Sequence, residues 1–199
     1  IIPFAEVPVV TDSFESGLSQ WSILSSGGAN QISSSTNRAH TGRNAVRFQY
    51  ASTTDPYLEM RKTITVTTNI VARTYFYDAL QTSIGTIFEV KKPGSNEGTA
   101  LGVDTGISAN TYIVRHNSRA GTRGTSVLRS AGWHLFEIIV TQWGTYVKID
   151  SQLVLENGLP LINVTQTAAG AVGFVASWGL VGEADYDTVT LLSLSMRDP

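Results

Sequence analysis

Three acidic residues near the end of the chain, Glu183, Asp185 and Asp187, occupy every second position of an alternating segment. In a β-strand such residues project from one face, about 6.6 to 6.8 Å apart along the strand. Paired carboxyl groups about 5 to 5.5 Å apart can hydrolyse glycosidic bonds with retention, and this spacing admits that separation. If the protein is an enzyme, we expect these three residues to be catalytic.

A second segment carries cationic and aromatic side chains at strand spacing. Arg73, Tyr75 and Tyr77 alternate with smaller or apolar residues, which predicts one polar, aromatic strand face. Aromatic rings stack on the apolar faces of sugar rings, while guanidinium groups hydrogen-bond hydroxyls. The segment therefore predicts a carbohydrate-binding face. Trp143 and Trp178 fall in predicted turn or loop regions and are further candidates for that site.

Other catalytic and metal chemistries find less support in the sequence. A polysaccharide lyase would need a base, an acid and a cation on one face; Tyr112 and His116 share a predicted strand face, whereas Arg115 points the other way. The three histidines are far apart and the chain has no cysteine, which argues against a zinc site. Trp21 and Trp133 each open an alternating segment, so we expect both in the core.

The elements that must position these residues read as strands. Segments of five to twelve residues, rich in Val, Ile, Thr and aromatic residues, are separated by Gly, Asn, Pro and Ser clusters. Turns are predicted at 25–30, 93–98, 118–125 and 157–160. The predicted strands are 45–51, 57–66, 69–78, 86–92, 100–105, 111–117, 134–142, 145–149, 152–156, 170–177 and 185–196. Their number and spacing predict an all-β fold, a two-sheet antiparallel sandwich.

Length and charge limit the class of protein. A chain of 199 residues is expected to form one domain, here residues 11–199, with residues 1–10 as a linker or edge segment. The net charge of −2 and the scattered Lys and Arg residues argue against nucleic acid and anionic membranes as partners. No apolar run reaches the roughly 18 to 20 residues that span a bilayer, so membrane insertion is not expected. The start at Ile1 suggests a mature or excised fragment of a larger protein.

Three stretches resemble known carbohydrate-binding β-sandwiches. Residues 11–21 followed by 39–48 are similar to the opening of many carbohydrate-binding modules, and residues 184–191 to the last strand of such jelly rolls. Residues 132–154 resemble a stretch common in concanavalin A-like sandwiches, including laminin G-like domains, although Asp150-Ser151 replaces the usual Asp-Gly. The resemblance implies a jelly-roll β-sandwich that is secreted or displayed at the cell surface and binds a polysaccharide.

The same resemblance implies a structural calcium ion. In many such modules the ion joins the acidic first strand, the turn before the next long strand and an Asp of the last strand. The matching positions here are Asp12, Glu15, the backbone around Thr41, Gly42 and Arg43, and Asp187. Calcium prefers six to eight oxygen ligands, which these groups could supply. Alternatively, Arg43 pairs with Glu15 and replaces the cation.

The sequence thus favours a non-catalytic, extracellular polysaccharide-binding module attached to other domains of a larger protein. A polysaccharide hydrolase or lyase on the same jelly-roll scaffold is the alternative from the enzyme class. A structural or adhesive surface module, whose exposed face packs against protein, is the third interpretation. Fold alone does not choose between them.

Overall fold

The computed structural model describes residues 4–25, 30–51, 57–177, 180 and 182–196. The only helical element in these ranges is a single 3₁₀ turn, Arg119–Gly121, and none of the described residues form a helix able to cross a membrane. The strands, in chain order, are β1 (Phe4–Asp12), β2 (Ser22–Ser25), β3 (Gln31–Ser35), β4 (Ala45–Tyr50), β5 (Tyr57–Thr67), β6 (Ile70–Asp78), β7 (Gly85–Lys91), β8 (Gly98–Asp104), β9 (Thr111–Asn117), β10 (Thr122–Leu128), β11 (Gly132–Thr141), β12 (Gly144–Ile149), β13 (Gln152–Leu153), β14 (Leu155–Glu156), β15 (Leu159–Pro160), β16 (Ile162–Asn163), β17 (Ala169–Ser177) and β18 (Gly182–Met196).

Two antiparallel sheets form the body of the protein. Sheet A follows the order β13-β12-β11-β6-β18-β4-β3, with β1 beside β18 and β16 beside β12. Sheet B follows the order β10-β9-β8-β7-β17-β5-β2. The strands β14 and β15 form a separate small ribbon. The predicted all-β, two-sheet antiparallel sandwich is therefore confirmed.

The core lies between the two sheets and is rich in aromatic rings. Phe174 of sheet B packs against Tyr186 of sheet A with ring centroids 4.5 Å apart, and Phe76 lies 5.3 Å from Phe136. All four side chains are fully buried. Burial of each large apolar side chain contributes about 1.5 to 3 kcal/mol, so this cluster holds the sheets together. Because strand side chains alternate, the residues between these positions face outward from the sandwich.

Sheet B contains glycines that its tight strand packing requires. A Cβ atom on Gly102 of β8 would lie 2.0 Å from the carbonyl oxygen of Thr86 on β7, and one on Gly98 would lie 2.0 Å from the carbonyl oxygen of Val90. Backbone atoms cannot yield as a flexible side chain can, so any larger residue would push the strands apart. This part of the sheet therefore presents little side-chain bulk of its own.

Several boundaries differ from the sequence predictions. The segment predicted as a turn at 118–125 continues into strand β10, which pairs with β9 through Thr122 and Arg115. Phe4–Asp12, within and beside the segment predicted as a linker or edge, forms a strand along β18. Both strands have short or irregular apolar patterns, and they form because a neighbouring strand offers unpaired backbone groups.

The Asp150-Ser151 turn joins β12 to β13 without a glycine. Both residues have positive φ angles, 50° and 66°, as the tight hairpin requires. The Asp150 carboxylate accepts hydrogen bonds from Leu135 N and from the His134 ring at 2.8 and 2.7 Å. This side chain fixes the start of β11, which explains why Asp stands at the first position of the turn. Ser151, at the second position, has a positive φ that Gly would adopt with less strain.

Candidate functional site

The outer face of sheet B carries ionisable side chains at alternate positions of its central strands. The register places Arg61 of β5 and Glu89 of β7 on either side of Gly173, and Glu89 and Arg115 on either side of Ala100. Arg61, Glu89 and Arg115 therefore lie along one line across the sheet, separated only by a glycine and an alanine. These small residues leave room for long side chains to lie against the sheet.

Five of these side chains form a continuous network, here called the ionic ladder: Tyr57, Glu59, Lys91, Glu89 and Arg115. Lys91 Nζ lies 2.5 Å from Glu59 Oε1 and 3.2 Å from Glu89 Oε1, so one ammonium group bridges the two carboxylates. The Tyr57 hydroxyl donates to Glu59 Oε2, and Arg115 Nη2 donates to Glu89 Oε2. The ladder spans β5, β7 and β9 and orients each carboxylate toward its partners.

The ladder is buried although it faces away from the core. Glu89 is 1% exposed and Lys91 is 3% exposed. Burial alone would raise the pKa of Glu59, but hydrogen bonds from Lys91 and Tyr57 outweigh it and hold that pKa below its usual value. Burial, and then the hydrogen bond to Glu59, raise the pKa of Tyr57. At neutral pH, Glu59 is therefore an ionised acceptor and Tyr57 a protonated donor.

Two adjoining cavities lie over this face, and together they form what we term the cleft. Their volumes are about 320 and 280 Å³, and both are lined by Arg61, Lys91 and Asn96. Lining residues on β5 extend from Tyr57 to Thr63, which is about 20 Å of extended strand. The cleft is thus an elongated channel with a polar floor.

One end of the cleft is apolar. The Tyr57 ring packs against a small cluster made by Ile87, Ala100, Ile113 and Val175. An aromatic ring next to hydrogen-bonding groups is the combination that sugar recognition requires, because sugar rings present an apolar face and a rim of hydroxyls. The cleft supplies both elements within one face of the sheet.

The aromatic face predicted on β6 exists on sheet A, but the protein's own side chains cover it. Tyr75 is stacked by the His40 ring, with centroids 3.6 Å apart, and the Arg38 guanidinium lies 4.6 Å from the centre of the Tyr77 ring. Arg73 makes a two-pronged contact with Glu6 at 2.8 Å and binds Glu137 at 2.7 Å. Sugar binding by Arg73, Tyr75 and Tyr77 remains a prediction, and this geometry leaves little of the two tyrosine faces for stacking.

The predicted acidic triad projects from one face of β18, the same outer face of sheet A. Asp185 is paired with Arg47 through two hydrogen bonds of 2.8 and 3.1 Å. Glu183 lies 3.4 Å from the same guanidinium. Asp187 accepts two backbone N–H groups at 2.7 Å. Each carboxylate is therefore engaged in holding structure, and a catalytic role for the three remains a prediction.

The tryptophans that the structure describes differ in location and burial. Trp21 is buried in the core, as predicted. Trp133 was predicted to be in the core, and this is wrong: it is half-buried on the outer face of sheet A, edge-on to Tyr77. Trp143 is 76% exposed at a hairpin tip, beside an apolar cavity of about 380 Å³. Trp178 lies outside the described residues.

The lyase-like trio is not assembled on one face. Tyr112 is fully buried and faces the core, and His116 lies on the same side of β9. Burial, and secondarily the charge of Arg123, lower the pKa of His116 to about 4. Arg115 faces the cleft on the opposite side, as its place in the alternation predicted.

The carboxylates assigned to calcium by the resemblance are bound to N–H groups. Asp12 accepts from Phe14 N and from the Trp21 indole at 2.8 and 2.7 Å, and Glu15 Oε1 accepts from Arg43 N and Asn44 N at 2.7 and 2.8 Å. Asp187 likewise binds the backbone of the 40–41 turn, so these acids clasp the turn directly. Among the described residues, no three His, Cys, Asp or Glu side chains are grouped to hold a metal. This donor arrangement does not fit a calcium ion, which the resemblance alone suggests.

We therefore expect chelation to leave the melting temperature of the protein unchanged. The backbone N–H groups of residues 40–44 already satisfy Glu15 and Asp187, and charge-assisted hydrogen bonds of this kind stabilise a turn without a cation. Thermal unfolding followed by circular dichroism, with EDTA and then with added calcium, measures this. A transition that falls with EDTA and recovers specifically with calcium, but not with magnesium, would contradict it.

The fold defines the class of protein as a jelly-roll β-sandwich, as the resemblance predicted. No protein family model and no curated protein match the chain, but solved structures do. The chain is similar to Cip1, a cellulose-induced protein (TM-score 0.68, 16% identity, 92% of this chain and 96% of that chain). It is similar to an endo-β-1,4-glucuronan lyase of Trichoderma reesei (0.58, 14%, 94% and 96%). It is also similar to a family 11 carbohydrate-binding module of Clostridium thermocellum (0.50, 15%, 98% and 98%). At these identities the similarity shows the fold alone.

Sequence reasoning missed the residues of the ionic ladder other than Arg115. Tyr57, Glu59 and Arg61 alternate within one predicted strand, and Glu89 and Lys91 alternate within another. Ionisable residues at every second position of otherwise apolar strands were the available signal. What the sequence does not contain is the register that places the two strands on either side of β17.

Proposed function

We propose that the protein binds carbohydrate chains in the cleft of sheet B and does not cleave them. The observation that carries this proposal is the ionic ladder, which places hydrogen-bonding groups and the Tyr57 ring along one elongated channel. Carboxylates, an amide and guanidinium groups match the donors and acceptors of sugar hydroxyls. Similar solved structures include a carbohydrate-binding module and a glycan-acting enzyme, and both use this fold.

The protonation states in the cleft favour binding over hydrolysis. A retaining or inverting glycosidase needs a carboxylic acid whose pKa is raised so that it can donate a proton. Burial alone would raise the pKa of Glu59, but the hydrogen bonds from Lys91 and Tyr57 outweigh it and hold that pKa below its usual value. The raised pKa of Tyr57 likewise disfavours the phenolate that a lyase base would need.

We further propose an extracellular location within a larger protein, as the resemblance implies.

The test compares binding at the three candidate surfaces. Asn96→Trp fills the junction of the two cavities from an exposed loop, Tyr75→Ala alters the sheet A face, and Trp143→Ala alters the apolar cavity. Isothermal titration and affinity electrophoresis against a panel of neutral and acidic polysaccharides measure the affinity. We expect Asn96→Trp to weaken binding by about tenfold or more, corresponding to at least 1.4 kcal/mol. Tyr75→Ala and Trp143→Ala should bind as the wild type does.

Each other result has a definite meaning. Loss of binding in Tyr75→Ala, with Asn96→Trp unaffected, would move the site to sheet A. Absence of binding across the panel would reject carbohydrate binding. Reducing ends or unsaturated products in the same samples, measured colorimetrically and by ultraviolet absorbance, would show an enzyme instead of a binding module.

A further inference from the structure

The charges within the ionic ladder cancel, but the charges within the cleft do not. Glu59 and Glu89 are balanced by Lys91 and Arg115, each of which contacts at least one of the two carboxylates. Arg61 also lines the cleft and is additional to this balance. The cleft therefore has surplus positive charge, although the whole chain has a net charge of −2.

Arg61 is only weakly paired within the protein. Its Nη1 lies 3.7 Å from Glu59 Oε1 and donates to Asn96 Oδ1 at 3.4 Å, and its side chain is 41% exposed. The contact with Glu59 is much longer than the 2.5 Å that separates Glu59 Oε1 from Lys91 Nζ. Since Arg61 lines both cavities, it lies where the two adjoin.

A second cation extends the positive end of the cleft. Lys92 lines the cavity next to Arg61 and lies 4.0 Å from Glu97, a distance that gives only weak pairing. Its Nζ also donates to the Thr165 hydroxyl, a neutral partner. Like charges that line one cleft add to its attraction for anions. The surplus is therefore a property of the groove and not of one side chain.

We infer that the ligand of the cleft is an acidic saccharide whose ring carboxylate pairs with Arg61. This inference rests on the proposed carbohydrate binding and names its ligand class. A planar guanidinium matches a carboxylate through two parallel hydrogen bonds, which a neutral hydroxymethyl group cannot reproduce. Glu59 and Glu89 stay paired with Lys91 and Arg115, which limits their repulsion of the anion.

The test uses two oligosaccharides that differ only in this group: a β-1,4-linked oligoglucuronate and the neutral β-1,4-linked oligoglucoside of the same length. We expect the wild type to bind the acidic compound about tenfold more tightly or better, as expected for a charged hydrogen bond. Arg61→Gln should remove this preference, so that its affinities for the acidic and the neutral compound agree within about twofold. Arg61→Lys should keep part of it, and Arg123→Gln, outside the cleft, should keep all of it.

The outcomes separate this inference from the proposed function. Equal affinity for both compounds, or an acidic preference that survives in Arg61→Gln, overturns the acidic ligand and leaves carbohydrate binding standing. Binding of a sulfated but not a carboxylated oligosaccharide also overturns the carboxylate pairing. Absence of binding to every compound overturns both proposals. Unfolding curves of each variant verify that Arg61, being exposed, is replaced without loss of the fold.

Discussion

An Asp78→Ala variant is expected to melt at least about 6 °C below the wild type. Asp78 is fully buried and binds Arg129 through two hydrogen bonds of 2.9 and 2.8 Å, with the guanidinium side chain 3% exposed. Arg129 also donates to the carbonyls of Gln81 and Ala109, so the pair joins three chain segments. Removing one partner of such a pair costs about 3 to 5 kcal/mol, because the other charge stays buried. Each kcal/mol corresponds to roughly 2 to 4 °C at this chain length.

A surface ion pair of the same protein provides the matched control. Arg123 and Glu156 lie 3.3 Å apart with their side chains 43% and 52% exposed, so Glu156→Ala should cost less than about 1 kcal/mol. Thermal and urea unfolding of both variants measure the difference. The double variant Asp78→Leu with Arg129→Met should recover much of the loss, since an apolar pair replaces a buried ionic one. If Asp78→Ala and Glu156→Ala lost the same unfolding free energy, burial would not determine how much the Asp78–Arg129 pair stabilises the fold.

The alternation of side chains was sufficient to predict most of the fold. The predicted strand 111–117 coincides with β9, and 69–78 differs from β6 by one residue. These strands have one buried face, and burial imposes a strict period of two on the sequence. The strands β1 and β10 were not predicted as strands, because their residues lie at sheet edges and are half-exposed, which leaves no such period. Their pairing depends on neighbours that are distant in sequence.

The stretches that resembled carbohydrate-binding modules turned out to form one structural unit. Glu15 from the first stretch and Asp187 from the last bind opposite ends of the 40–44 turn, and Asp12 fixes the indole of Trp21. Sequence similarity therefore identified a clasp that joins distant parts of the chain, and correctly indicated the jelly roll. It did not locate the cleft, because the clasp is built on sheet A and the ladder on sheet B.

The cleft could be predicted only in part because its chemistry depends on non-local register. Glu59 and Lys91 are 32 residues apart, yet their charged atoms are in contact. Their side chains approach each other across β17, where Gly173 and Ala171 stand between β5 and β7. A local pattern reveals that each strand carries charges on one face. It does not reveal that the sheet brings the charges of the two strands into contact. Arg73, Tyr75 and Tyr77 gave the same local signal and face a covered surface.

A Lys91→Met variant is expected to lose both stability and saccharide binding at neutral pH. Without the ammonium group, Glu59 and Glu89 lose their shared partner while remaining close together. The cost should be about 2 kcal/mol, less than for Asp78, because Glu59 keeps the Tyr57 hydroxyl and Glu89 keeps Arg115 as partners. The pKa of Glu59 is lowered in the wild type, by Lys91 and Tyr57 against the effect of burial, so its stabilising contribution exists above the unfolded pKa and fades as the pH falls.

The pH dependence of that variant distinguishes charge from packing. In Lys91→Met the remaining carboxylates repel each other, so the pKa of Glu59 should rise and protonation should relieve the strain as the pH falls. The difference in unfolding free energy from the wild type should therefore be largest near neutral pH and shrink toward about pH 4. Lys92→Met, the adjacent and more exposed substitution, should show a small difference that does not vary with pH. A Lys91→Met deficit that is constant across this range would mean that the lysine stem, and not its charge, supports the cleft.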